Sequence, residues 1–210
     1  EEISKRANEL DGLVAVSSYY RTVACEKYSI DKNLVDVILP GIPLQGHGQR
    51  SPGNAGDRIR LGCLARMSPE KGLDRLCEAF VALAGRGGRD NLYLSAAGYF
   101  PGSSVSWLKG ITARMKEAGV RNRVEFLGTL DRREKIEFLS RLDIFSVPAR
   151  HPEAKGLYVL EALANGVPVV QPRHGAFPEM LEETGGGILV DAAEALPVAD
   201  AIQALIEDEE

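Results

Sequence analysis

The stretch IRLGCLARMSPEKGLDRLCEAFVALAGRGGRDNLYLSAAG, residues 59–98, is the piece of the chain from which the fold is read. IRLGCLA (59–65) is an apolar run of strand length. In PEKGLDRLCEAFVALAG (69–85), Leu73, Leu76, Cys77 and Phe80 stand at i, i+3, i+4 and i+7, one face of an amphipathic helix. NLYLSAAG (91–98) is a strand again. Strand, helix and strand at this spacing make a βαβ unit, whose two strands run parallel.

The alternation continues towards the C-terminus. A helix from Ser104 is ended by Gly119. It is followed by strand VEFLG (124–128), helix RREKIEFLSRL (132–142) and strand DIFSVPA (143–149). A helix from Gly156, strand PVVQP (168–172), a short helix over 178–183, strand GGILV (186–190) and a last helix near 197–207 complete the series. Six strands separated by helices imply right-handed crossovers and an α/β, doubly wound, Rossmann-like parallel sheet with helices on both faces. Ligands of such sheets bind at the carboxyl ends of the strands.

Residues 1–41 differ. GLVAVSS and VDVILPG are strand-like, with a helix between Tyr19 and Tyr28. IPLQGHGQRSPGNAGDR (42–58) is rich in Gly, Pro and polar residues and reads as a linker. The expected organisation is the tail of one domain (1–41), a linker (42–58) and an α/β domain (59–210).

Composition narrows the function. The hydrophobic fraction of 44% supplies a real core, and the net charge of −5 argues against a protein that grips nucleic acid through its phosphates. No apolar run has the ~20 residues of a membrane span. Cys25, Cys63 and Cys77 form no CxxC pair, which suits a reducing cytoplasm, and His47, His151 and His174 form no metal-ligand spacing.

Three clusters could carry chemistry. In CLARMSPEKGLDRL, Ser68 suits an N-cap and Pro69 the first helical position, which puts Arg66 at a strand end and Lys71 in the first helical turn. Cations there are opposed by the helix dipole by up to ~1 kcal/mol, so two of them make sense around a bound anion. The plainer reading is solvated charge, with Lys71 paired to Glu70 or Asp74.

The second cluster is HPEAKGLYVLEALANGVPVVQP (151–172). Gly156 would let a ligand approach the backbone, and the N–H groups of Gly156, Leu157 and Tyr158 point out of the helix start. Glu153 lies at the mouth of that site and Glu161 just over one turn into the helix. LYVLEALA (157–164) is apolar on every side but for Glu161, the mark of a buried helix. A carboxylate there accepts from two neighbouring hydroxyls, as a ribose offers, or else pairs with an arginine such as Arg66. The third cluster is His174, Gly175 and Ala176 at another strand end, with Glu179 just beyond; a simple turn is the plainer reading. No P-loop, GxGxxG after a strand or GxSxG is present.

ARMSPEKGLDRLCEAF, VEFLGTL, DIFSVPA, Glu153-x7-Glu161, EALANGVPVV, HGAFPEM and TGGGILV occur in this order. Together the set resembles the C-terminal half of retaining glycosyltransferases of the GT-B class, family 4 (glycosyl transferases group 1). The resemblance covers 59–207 and extends into DGLVAVSSYYRT and VDVILPGIP, which look like the last segments of that family's N-terminal domain.

The resemblance implies that Arg66 and Lys71 hold the donor's diphosphate and stabilise the leaving group. It implies that Glu153 contacts the transferred sugar and Glu161 the ribose, that Gly156 and Leu157 approach sugar and phosphates, and that Thr129 and Leu130 lie at the nucleobase; His174 and Gly175 join them as expected substrate contacts. The donor would be a UDP-, GDP- or ADP-linked sugar, with no obligatory cofactor or metal. The acceptor, a sugar, lipid or other group, would be held by the N-terminal domain, and a lipid acceptor would bring the full-length enzyme to a membrane surface. No nucleic-acid partner is expected, and the open strands before residue 42 would invite dimerisation. Alone, the 210 residues are expected to transfer little sugar.

One departure is Glu153-Ala154-Lys155-Gly156, where the family often has Glu-Gly-Phe-Gly; this leaves the sugar preference unreadable. The alternative function is a nucleotide-binding regulatory module of the same fold without transferase activity. Its mark would be loss of Arg66, Lys71 or either glutamate, and all four are present.

Overall fold

The computed structural model describes residues 2–48, 58–87 and 90–208. The N-terminal segment contains α1 (Glu2–Ala7), β1 (Leu13–Ala15), α2 (Ser18–Tyr28) and β2 (Val35–Val37). The sequence reading had not anticipated α1. β1 and β2 pair in parallel, Leu13 with Val35, so this segment is itself a small βαβ unit. The Ser17 side chain caps α2 by accepting from the Tyr20 N–H at 3.0 Å.

The main sheet holds β3 (Ile59–Leu64), β4 (Leu92–Ala97), β5 (Val124–Gly128), β6 (Ile144–Ser146), β7 (Val169–Pro172) and β8 (Gly187–Val190). All pairings are parallel, in the order β5-β4-β3-β6-β7-β8. The helices are α3 (Leu73–Gly85), α4 (Val105–Glu117), α5 (Arg132–Ser140), α6 (Leu157–Leu163), α7 (Phe177–Thr184) and α8 (Ala195–Glu207). α3 packs on α4 and α8, and α5 on α6. The expected face of α3, with Leu73, Leu76, Cys77 and Phe80, is buried together with Leu83. The sheet's inner strands supply Leu61, Leu94, Phe145, Val169 and Val170 to the same core. The apolar pattern of these strands follows from cover on both faces.

From β3 the chain winds outward through β4 to β5. It then returns to place β6 on the other side of β3 and winds away through β7 to β8. The winding direction therefore changes between β3 and β6, and a crevice opens beyond their carboxyl ends.

Two local expectations are corrected. Pro69–Lys71 form a separate 3₁₀ turn, and α3 starts at Leu73 after Gly72 at φ 74°, so Lys71 precedes the α-helix. Glycine is needed at the break: a Cβ on Gly72 would stand 1.9 Å from the Pro148 carbonyl oxygen. Ser68 makes no side-chain cap. Secondly, α6 is not buried all round. Val159 and Ala162 face the core, whereas Leu157 is exposed.

Among the described residues, hydrogen bonds tie the segment before β3 to the main domain at several places. Glu179 of α7 accepts from the N–H groups of Ser18 and Tyr19 at 2.9 and 3.3 Å, meeting the free donors at the start of α2. Arg132 donates to the carbonyls of Pro43 and Gln45 at 3.3 and 2.9 Å, so the first part of the expected linker is held to α5. The rest of that linker, 49–57, lies outside the described residues.

Candidate functional site

The β3–α3 turn and the β6–α6 loop face each other across the switch-point crevice. Lys71 from the first and Glu153 from the second form an ion pair, each side chain about a fifth exposed. The Lys71 Nζ also stands 5.6 Å from the centre of the Tyr158 ring, within reach of a cation–π attraction. Tyr158 packs beside two other aromatic rings. Its ring lies 6.1 Å from Phe145 and 6.3 Å from Phe177. Burial lifts its phenol far above the ordinary value, and the charge of Glu153 adds to the shift. The phenolic oxygen is buried without a hydrogen-bond partner among the described residues. Below, the Cys63 thiol is pushed up to about 12 by burial, against the pull of Lys71.

The loop carrying Glu153 is gripped from both sides. On one side the backbone N–H of Arg150 donates to the Glu70 carbonyl at 2.8 Å. The Arg150 guanidinium engages the Asp74 carboxylate through two hydrogen bonds of 2.9 and 2.5 Å and also donates to the Pro69 carbonyl. On the other side, His174 Nε2 donates to the Ala149 carbonyl at 3.0 Å, and the Ala176 N–H donates to the Glu153 carbonyl at 2.8 Å. Gly175 has φ 64°, and a Cβ there would meet the Glu153 backbone N and O at 2.5 Å. His174 and Gly175, expected as substrate contacts, also support the Glu153 loop. With Nε2 donating to a carbonyl, His174 carries a proton there, and its Nδ1 is buried without a hydrogen-bond partner among the described residues.

Gly156 caps α6 at φ 59°, and a Cβ would press on the Phe177 ring at 2.8 Å. Packing is thus one reason for this glycine, beside the ligand approach that the sequence suggests. Leu157 follows and is exposed.

Glu161 pairs with Lys135 of α5 at 2.5 Å, not with Arg66. Lys71 likewise finds Glu153 rather than Glu70 or Asp74, since Asp74 is taken by Arg150. Arg66 stands exposed after β3 and makes no ion pair among the described residues, lining a shallow pocket with Ser68, Ser103 and Trp107. Thr129 is exposed and Leu130 half-buried, directly before α5. A capping box fixes that helix start: Asp131 accepts from the Glu134 N–H, and Glu134 accepts from the Asp131 N–H, both at 2.8 Å. Lys71, Glu153 and Tyr158 are therefore one cluster, Glu161 and Lys135 a second, and Arg66 lies apart from both.

The family model described as "Glycosyl transferases group 1" matches residues 48–210. The chain belongs to this family. A D-inositol 3-phosphate glycosyltransferase of Corynebacterium glutamicum is 30% identical over 196 residues, covering 87% of this chain and 46% of the relative. A GDP-mannose-dependent alpha-(1-6)-phosphatidylinositol monomannoside mannosyltransferase of Mycobacterium tuberculosis is 28% identical over 212 residues, covering 94% and 53%. The chain thus spans about half the length of these relatives. Among solved structures, Anabaena Alr3699/HepE in complex with UDP superposes with a TM-score of 0.86 at 24% identity, over 99% of this chain and 57% of the other. The group 1 fold, a GT-B half with a six-stranded parallel sheet, is that described above.

For this group 1 domain, sequence reasoning missed Arg150 and Lys135, gave Asp74 only as a possible partner of Lys71, and used only the backbone of Tyr158. Tyr158 stands two places after Gly156 in a quoted motif, and its inward direction is the signal that the motif does not carry. Asp131-x-x-Glu134 is a legible capping signature and would have fixed the position of Lys135 on α5. Nothing in the chain's linear order couples Arg150 to Asp74.

Proposed function

We propose that this chain is the donor-binding portion of a retaining glycosyltransferase of family 4, moving a sugar from a nucleoside diphosphate to an acceptor. The supporting observation is the meeting of Lys71 and Glu153 at the β3/β6 switch point, with Glu161 farther along α6. In the donor complex Lys71 leaves Glu153 for the diphosphate, and Arg66 reaches in from the end of β3. These two cations stabilise the charge that grows on the leaving group, the kind of fixed electrostatic contribution that commonly dominates such a step. Glu153, released, faces the transferred sugar. Glu161 accepts from the ribose hydroxyls, Gly156 and Leu157 line the sugar and phosphates, and Thr129 and Leu130 bound the nucleobase.

The donor is a UDP-, GDP- or ADP-sugar. UDP bound to HepE and GDP-mannose dependence in the mycobacterial relative support this class. The acceptor is a sugar or lipid held by the other half of the two-domain fold; the phosphatidylinositol monomannoside of the same relative's name supports a lipid and work at a membrane surface. Three free cysteines, two of them buried, support a reducing cytoplasm.

A thermal-shift panel of UDP, GDP, ADP and their sugar conjugates tests the reading. A ligand at ~100 times its dissociation constant adds about 2.7 kcal/mol of stability. One base should stabilise the wild type, and Arg66→Ala and Glu161→Ala should each lose the response. No response from any nucleotide would sink the donor-site assignment.

A further inference from the structure

We infer that Arg150 and Asp74 are positioning residues that hold the Lys71 turn and the Glu153 loop at the separation a nucleotide-sugar requires; this rests on the donor-site reading above. The two loops share no strand pairing beyond Leu61↔Ile144 and Gly62↔Phe145, so their tips must be joined by other contacts. Among the described residues, polar side-chain contacts of two kinds do this. One is the Lys71–Glu153 pair itself, and that pair is given up when the donor enters, because each partner turns to a different part of the ligand. The other is the Arg150 clamp, which touches Pro69, Glu70 and Asp74 at once and uses neither Lys71 nor Glu153.

The chemistry of the clamp suits a permanent brace. Asp74 is 9% exposed and lies in the first turn of α3, where the dipole favours a carboxylate. A planar guanidinium can engage both carboxylate oxygens and a carbonyl together, whereas an ammonium cannot hold that geometry. The Asp74 hydrogen bonds raise the Arg150 pKa further above its already high value, so the clamp stays charged. Gly72 completes the joint by letting the Pro148 carbonyl approach the turn.

The clamp therefore governs how well diphosphate and sugar are met together, and leaves the ribose contact alone. The test is calorimetric titration of the chain with the nucleoside monophosphate, diphosphate and diphosphate-sugar of the stabilising base. The variants are Arg150→Met, Arg150→Lys, Asp74→Asn and the swapped pair Asp74→Arg with Arg150→Asp, each checked for native circular dichroism. Arg150→Met and Asp74→Asn should keep monophosphate affinity within about twofold, and the gain in affinity from monophosphate to diphosphate-sugar should shrink about tenfold, the size of a contact coupling. Arg150→Lys should behave like Arg150→Met, and the swapped pair should recover part of the gain. Equal weakening of all three ligands, or an unchanged gain, overturns the clamp as a positioning device. A wild type that binds none of the three overturns the donor-site reading instead, and the clamp's role with it.

Discussion

Glu153 and Glu161 stand eight positions apart and are held in opposite ways. Glu153 sits on a loop whose backbone is pinned by its neighbours: the 174–176 turn on one side and the Arg150 contacts on the other. Glu161 sits on a helix, and its surroundings are set by α6 and by one side-chain partner, Lys135. A carboxylate on a loop depends on backbone fit that few residues other than glycine tolerate. One on a helix depends on which side chain the next helix offers. The first arrangement should be brittle to steric change and the second to change of charge.

The largest effect expected from this contrast is at Gly175. Alanine there meets both a left-handed φ and the Glu153 backbone, so Gly175→Ala should cost about 3 kcal/mol of stability in urea unfolding. Gly119 has a similar φ of 71° with open space around it, and Gly119→Ala should cost only about 1 kcal/mol. Equal losses at both positions would mean that Gly175 is needed for its dihedral alone and that the loop is not pinned there.

Next comes ligand selectivity. Lys71→Met should weaken a nucleoside diphosphate about tenfold, roughly 1.4 kcal/mol, and leave the free nucleoside unchanged. Glu161→Gln should weaken both, because both carry the ribose. Titrations in which Lys71→Met also weakens the nucleoside would show that the two clusters do not read separate parts of the ligand.

The same contrast explains what was legible in the sequence. Periodicity located the six strands of the main sheet and the helices between them, because burial on both faces imposes runs such as LYLSAA and a clear apolar face on α3. Carboxyl-end placement then drew attention to Lys71, Glu153, Glu161 and His174. The partners escaped. Lys71 and Glu153 lie 82 residues apart, Asp74 and Arg150 76. Only the strand order brings those loops together, and a list of elements does not contain the strand order. The Gly72 break was also hidden: Ser68-Pro69 reads as a helix start, and the Pro148 carbonyl that forbids a Cβ belongs to another loop. The role of Glu179 at the start of α2 was invisible for the same reason.

That contact gives a smaller effect. Glu179→Ala removes the acceptor for the Ser18 and Tyr19 N–H groups and should cost about 1 kcal/mol, with hydrogen exchange at the start of α2 accelerating first. Uniform acceleration across the sheet would mean that the N-terminal segment and the main domain unfold as one unit, and that Glu179 is no separate joint.

The smallest effect concerns His47, beside the Glu161 cluster. Asn165 Nδ2 donates to the Glu161 carbonyl at 2.8 Å and lies 2.8 Å from His47 Nδ1. The carbonyl can only accept, so the amide presents its NH₂ group, and His47 Nδ1 must be the acceptor of a neutral imidazole. Burial lowers the His47 pKa; Arg132 and Lys135 lower it further, while Glu161 opposes them. The unfolded chain therefore takes up its proton first as pH falls below 6.5, and the native state resists. The contribution is present in full above that pH and declines as pH falls from there towards the folded value, so stability rises with pH through this window. His47→Gln keeps an acceptor for Asn165 without the titration. Urea midpoints at pH 7.5 and 5.5, by about two units around the unfolded value, should differ less in the variant than in the wild type. Identical differences would mean that His47 titrates alike in the folded and the unfolded chain, and that its surroundings beside Asn165 do not favour the neutral imidazole.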